Sequence, residues 1–287
     1  MGPAGNEKGP CELKQLFVDY RDATAACPVA VARSGRGVDE LGDRLDTYGF
    51  AVAQMPGDLP AQDAIDFLAE AWSLGAPYVP ALYRLPGAEQ FNRPYADIRA
   101  DDAGDHPGFA VRSAQEFHVD GTLDGPGDVP VVIMYCVRPA ARGGESLLLN
   151  AIGVFHALRE TDPAAAAVLT RPTVLRRSST LRGVEAYTDG PAFVVTDDGG
   201  IVNRYSDVPS TTTWIAPAGE EDALARALAF IRQESGSDGR YRLSVRLAAG
   251  ECLVVRNDRV SHARQGYEDT AAHPRQLLRA TFGTSPR

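Results

Sequence analysis

The chain has 287 residues, 44% of them hydrophobic, enough for a sizeable core and compatible with one large domain or two small ones. A net charge of −9, with arginines scattered rather than massed, argues against nucleic acid or an anionic membrane as partner. No run approaches the ~18 apolar residues of a membrane span. The four cysteines, Cys11, Cys27, Cys136 and Cys252, form no C-x-x-C pair. They read as reduced thiols of a cytoplasmic protein.

Residues 1–36 begin with the polar, Gly/Pro-rich MGPAGNEKGPCELKQ, which lacks the apolar core of a signal peptide. They are expected to form a partly ordered arm, and residues 37–287 a single domain. VDELGDRLDTYG predicts a short helix stopped by Gly49, FAVAQM (Phe50–Met55) a buried strand, and LPAQDAIDFLAEAWSLGAP a second helix. Residues 77–110, rich in Pro, Tyr, Asp and Arg, read as a long ordered loop, and such loops tend to carry function.

From residue 111 strands dominate. VPVVIMYCV (Val129–Val137) is a continuous apolar run, the pattern of a strand buried on both faces. ESLLLN follows the turn ARGG, then two short helices at 151–159 and roughly 163–169. PTVLRRS, AFVVTDD and GIVNRYS are short strands, the last two joined by a hairpin turn. GEEDALARALAFIRQES is an amphipathic helix with acids in its first turn, expected to pack on the core. YRLSVRLAAGECLVVRND and RQLLRATFG close the chain as strands. The sum is mainly β with flanking helices: a β-sandwich or jelly roll.

Against this frame QEFHVDGTL holds His118 and Asp120, two residues apart, a spacing that places both side chains on one face of a strand. His262 follows 144 residues after His118, beyond another predicted strand. Two histidines and one carboxylate make the facial triad that holds Fe(II) and leaves positions open for substrate and O2. Arg275 and Arg279 lie thirteen and seventeen residues past His262. Their even spacing on a strand directs both to one face, and a buried arginine needs an anionic partner such as a dicarboxylate.

The ordered set FHVD, ARGGES, RNDRVSHARQGY and RQLLRATF resembles the TauD/TfdA family of Fe(II)/2-oxoglutarate-dependent dioxygenases, of the clavaminate synthase-like superfamily. The block YGFAVAQM…DAIDFLAEAWSLGAP is similar to that family's N-terminal region, so the resemblance runs from about residue 38 to 284. It implies a double-stranded β-helix with iron held by His118, Asp120 and His262. It implies Arg275 as partner of the distal carboxylate of 2-oxoglutarate, Ser146 as a hydroxyl donor to the same cosubstrate, and Arg279 facing either 2-oxoglutarate or the substrate. His262-Ala263-Arg264 departs from the His-Gly-Arg of many relatives, which leaves the role of Arg264 open.

The activity so implied consumes O2 and 2-oxoglutarate, releases succinate and CO2, and oxidises a C–H bond of a small polar substrate, an amino acid or a specialised-metabolite intermediate. Halogenating relatives have Gly or Ala at position 120; a carboxylate there favours hydroxylation or another oxidative outcome. Desaturation, epimerisation and ring formation stay open, and so, outside the class, do a non-catalytic cupin-like metal-binding module and a zinc hydrolase. Candidate substrate contacts are Arg84, Asn92 and Arg93 in the long loop, Gln115 before the metal strand, and Arg204 and Asp207 in NRYSD. Several arginines favour a carboxylate, sulfonate or phosphate. His106, His156 and His273 read as bystanders. The high Ala, Gly and Arg content hints at a GC-rich bacterial genome and a role in specialised, antibiotic-type metabolism.

Overall fold

A computed structural model describes residues 18–21, 26–100, 106–270 and 274–286. The run read as doubly buried becomes Val131–Arg138, near the middle of a six-stranded sheet. The order is Val29–Ala30, Phe50–Gln54, Glu251–Arg256, Val131–Arg138, Gln276–Phe282, Tyr95–Ile98. All pairings are antiparallel except the first. A smaller antiparallel sheet has the order Arg242–Val245, Ser146–Asn150, Val260–Arg264, Gln115–His118.

Alternation along each strand sorts side chains into three layers. Val132, Met134 and Cys136 face inward and meet Leu148, Val245 and Val260 of the smaller sheet. Val131, Ile133 and Tyr135 face outward, onto the helices Val38–Tyr48 and Ala61–Ala71. On the opposite side Leu147, Leu149 and Phe117 pack against the helices Ala151–Thr161, Pro163–Val168 and Glu221–Glu234. The last of these buries Leu224, Ala227, Leu228 and Ile231, as its amphipathic pattern predicts. Gly49 ends the first helix in the left-handed conformation, with φ 75°. The architecture is the expected jelly roll braced by helices.

Six short strands among the described residues go beyond the sequence expectation, two of them the paired Arg142–Gly143 and Tyr267–Glu268. Val29–Ala30 joins the larger sheet from the segment expected as an arm, whose residues 1–17 and 22–25 lie outside the described ones. Tyr95–Ile98, inside the expected long loop, caps that sheet's other edge. Tyr187–Gly190 and Thr212–Trp214 flank Leu175–Ser178 in a three-stranded sheet beside the smaller one. Their sequences, YTDG and TTW among them, are too short and polar to show alternation; pairing with a neighbour makes them strands. Cys136 and Cys252 are buried free thiols and Cys27 an exposed one, while Cys11 lies outside the described residues. Among the described residues no helix is long and apolar enough to cross a membrane.

Candidate active site

Strand pairing explains how residues far apart in sequence meet. Gln115–His118 and Val260–Arg264 are antiparallel neighbours, and their register sets His118 directly opposite His262. The two rings lie 4.6 Å apart between centroids. The Nδ1 of His118 bonds the Glu116 carbonyl at 2.8 Å. A carbonyl only accepts, so the proton sits on Nδ1 and the Nε2 lone pair is left for a cation. Burial holds both imidazoles below their usual range, His262 at about 3, with the neighbouring His118 adding to that shift. Both are therefore unprotonated, the form that binds metal.

Asp120 does not lie on the strand, which ends at His118; it stands in the turn that leads to Gly121, with φ 85°. Its Oδ1 accepts a 2.6 Å hydrogen bond from Arg279. Its Oδ2 is buried without a hydrogen-bond partner among the described residues, 3.9 Å from His262 Nε2. Burial alone would raise this carboxyl, but the bonded Arg279 guanidinium, with Arg177 adding to it, outweighs burial and holds it below the ordinary carboxylate range. One ligand atom each of His118, Asp120 and His262 lie within 4.8 Å of one another. Two neutral imidazoles and an ionised carboxylate with one buried oxygen unclaimed form a donor set that fits Fe(II).

These three residues line a cavity of about 640 Å³ that also takes in Ser146, Arg264, Arg275 and Arg279. Arg264 and Arg275 stand over the Tyr267 ring, 4.9 and 5.2 Å from its centroid. Burial pushes Arg264 down to about 10 and lowers Arg275 as well. Arg264 donates to the carbonyls of Val111 and Ser113 at 2.7 Å, while its Nε and the Tyr267 hydroxyl are buried without partners. Among the described residues no carboxylate lies in ion-pair range of either guanidinium. Buried cations without counter-ions are costly, and this corner fits an acidic ligand. The turn in ARGGES brings Ser146 to it. A Cβ at Gly143, where φ is 68°, would strike the Gly266 carbonyl at 2.2 Å. One at Gly144 would press on Arg275 and Tyr267 at 3.2 Å.

The structure divides the proposed substrate contacts. Gln115 lines the cavity, its amide bonded to the Gly108 carbonyl. Arg93 lines a second cavity of about 340 Å³, behind a wall of Tyr83, His106 and Phe109. Arg204 is buried but turned away, bonded to the carbonyls of Leu175 and Thr188 at 3.4 and 3.3 Å. Asp207 is paired with Arg232 at 2.9 and 3.0 Å. Neither belongs to the lining of the large cavity, and nor do Arg84, bonded to the Tyr78 hydroxyl at 2.8 Å, or Asn92. His156 sits half-buried in a helix, and His273 lies outside the described residues.

His106 is no bystander in position. It is buried in the wall between the two cavities, stacked on Phe109 at 3.6 Å. Its Nδ1 accepts from the Gly108 amide at 3.1 Å, so its Nε2 carries the proton and donates to the Tyr83 hydroxyl at 2.9 Å. Tyr83 and Arg177 also line the large cavity without having been singled out in sequence. A loop histidine beside a proline, a tyrosine in a one-turn helix and one arginine of a pair carry no periodic signal.

Residues 24–281 match the model of a family described as "Taurine catabolism dioxygenase TauD, TfdA family". The chain belongs to the TauD/TfdA family. It is an Fe(II)- and 2-oxoglutarate-dependent oxygenase that consumes O2, and the cupin-like module and the zinc hydrolase are set aside. An Amycolatopsis sp. protein named uridine-5'-phosphate dioxygenase is 43% identical over 275 residues, covering 96% of this chain and 99% of that protein. A Streptomyces sp. protein of the same name is 39% identical over 253 residues, covering 87% and 90%. In fold, an asparagine oxygenase bound to Fe(II), hydroxyasparagine and succinate matches with TM-score 0.63 at 16% identity, over 82% of this chain and 74% of that one. The non-heme iron oxygenase OrfP with Fe and alpha-ketoglutaric acid matches at 0.61 and 17%, over 86% and 79%.

Proposed function

We propose that this oxygenase acts on a nucleoside 5′-phosphate, with uridine 5′-phosphate as the first candidate. Charge balance carries the proposal. Arg177, Arg264, Arg275 and Arg279 are all buried and all line the large cavity, whose acids are Asp120 in the metal cluster and the exposed Glu116. With a divalent cation bound, the dianion of 2-oxoglutarate still leaves an excess of positive charge, which a phosphate monoester reduces further. The names of the two relatives, which align with nearly all of this chain, supply the nucleotide.

In this proposal His118, Asp120 and His262 hold iron, and Arg275 with Ser146 holds the distal carboxylate of 2-oxoglutarate. Iron, when bound, supplies O2 activation coupled to loss of CO2 from 2-oxoglutarate. The protein supplies position and the exclusion of water. Met134 and Leu277 close the cosubstrate end with apolar surface. Arg279 fixes one oxygen of Asp120 and leaves the other to the metal. Glu116 alternates onto the same strand face as His118 but is exposed. A phosphate is repelled there and sugar hydroxyls are not, so the phosphate points inward. The outcome that needs fewest steps is hydroxylation of a C–H bond.

The test is succinate formation with uridine 5′-phosphate, uridine and inorganic phosphate in parallel, with products read by mass. Stimulation by the nucleotide alone is expected. No stimulation above the substrate-free rate, in protein that forms the Fe(II)·2-oxoglutarate absorption band, would remove the nucleotide assignment and leave the oxygenase class intact.

A further inference from the structure

The ladder that fixes His118 and His262 does not reach Asp120, because the strand ends two residues earlier. Side chains from elsewhere hold it instead. Asn257, 3% exposed in the turn between Glu251–Arg256 and Val260–Arg264, meets the Asp120 peptide on both sides. Its Oδ1 accepts from the Asp120 amide at 2.8 Å and its Nδ2 donates to the Asp120 carbonyl at 3.3 Å. The same Nδ2 donates to the Val129 carbonyl at 2.7 Å, and the Asn257 amide donates to the Pro130 carbonyl at 2.9 Å. From the other direction Arg177, on Leu175–Ser178, donates to the carbonyls of Val119 at 2.6 Å and Gly121 at 3.1 Å. Three consecutive residues centred on Asp120 are thus gripped by two buried side chains.

We propose that Asn257 and Arg177 are positioning residues for the iron ligand Asp120; this rests on the assignment of iron to His118, Asp120 and His262. Asn257 lies in the hairpin that carries His262. It therefore ties the carboxylate ligand to the element of an imidazole ligand and fixes their separation. Arg177 holds the residues on either side of Asp120, and Arg279 bonds the carboxylate itself. An amide suits position 257, since its separate acceptor and donor atoms satisfy the N–H and the C=O of one residue at the same time. Partners that orient ligands in this way change metal affinity by about 10- to 100-fold when removed.

The experiment is Co(II) titration of the chelator-stripped protein, followed by its visible spectrum, with melting of the metal-free protein alongside. Asn257→Ala should weaken Co(II) binding about 10- to 100-fold and Arg177→Lys about 10-fold, both well below the melting temperature. A residue that only supported the fold would lower the melting temperature and leave the Kd of folded protein unchanged, and that result overturns the proposal. If Asn257→Ala does not fold, Arg177→Lys decides, and wild-type affinity there overturns the clamp. His118→Ala separates the two levels. Wild-type Co(II) affinity in that variant sinks the iron assignment itself; loss of binding in it, with unchanged affinity in Asn257→Ala, sinks only the positioning role.

Discussion

Replacing Arg275 by methionine should move stability and cosubstrate affinity in opposite directions. The residue is 4% exposed, stands with Arg264 over the Tyr267 ring, and has no carboxylate in ion-pair range among the described residues. An uncompensated buried cation is unfavourable, and apolar replacement of buried charges is often neutral or stabilising by about 1–4 kcal/mol. Taking about 1 kcal/mol, the ligand-free variant should melt roughly 2–4 °C higher. With cosubstrate the sign reverses. A bidentate arginine–carboxylate contact is two charge-assisted hydrogen bonds of about 1.5–3 kcal/mol each. Loss of about 3 kcal/mol weakens 2-oxoglutarate binding more than about 100-fold. Thermal melting across a 2-oxoglutarate titration reads both effects, because ligand raises the melting temperature of whichever protein binds it. The wild-type and variant curves should cross. A variant that melts lower without ligand, or binds 2-oxoglutarate within about threefold of wild type, refutes the placing of the distal carboxylate at Arg275.

His262→Ala should abolish the anaerobic Fe(II)·2-oxoglutarate absorption band and succinate release; a band of wild-type intensity would count against the ligand set. His106 is held at about 3 by burial, against 6.5 when free. Its contribution is therefore complete above about pH 6.5 and shrinks as pH falls toward 3, by about 2 kcal/mol between pH 6.5 and 5. Wild type should lose that much more stability than His106→Gln over this interval, and equal losses in denaturant melts would show His106 to be solvated. Asp207→Asn removes an exposed pair with Arg232, so it should cost no more than about 1 kcal/mol and leave the substrate KM unchanged; a raised KM would return Asp207 to the site. Leu148→Ala, at a fully buried position opposite His262, should cost about 2–5 kcal/mol in chemical denaturation; a cost under about 1 kcal/mol would contradict the packing described.

The parts of the site legible in sequence are those whose chemistry is rare. Five histidines make a two-residue H-x-D spacing conspicuous, and VPVVIMYCV and ECLVVR announce buried strands by composition. Arg275 and Arg279 were legible as an evenly spaced arginine pair, and both line the cavity, but the strand begins only at Gln276 and a register irregularity separates Gln276 from Leu277, so strand alternation is not what brings Arg275 there. Arg204 and Asp207 show the limit. An arginine just past the end of a short strand can turn to the cavity or to neighbouring carbonyls, and only the three-stranded sheet beside it decides. Asn257 and Arg177 were illegible for a different reason. Their partners are backbone groups 137 and 58 residues away, and side-chain bonds to a distant main chain leave no pattern in one sequence.

The facing pair His118 and His262 also constrains biosynthesis. One metal-binding strand emerges early and its neighbour only after most of the polypeptide has been made, with the arginine-bearing strand later still. Until Val260–Arg264 has emerged, a nascent chain thus holds only half of the facing histidine pair. Contacts of such long sequence separation make folding slow.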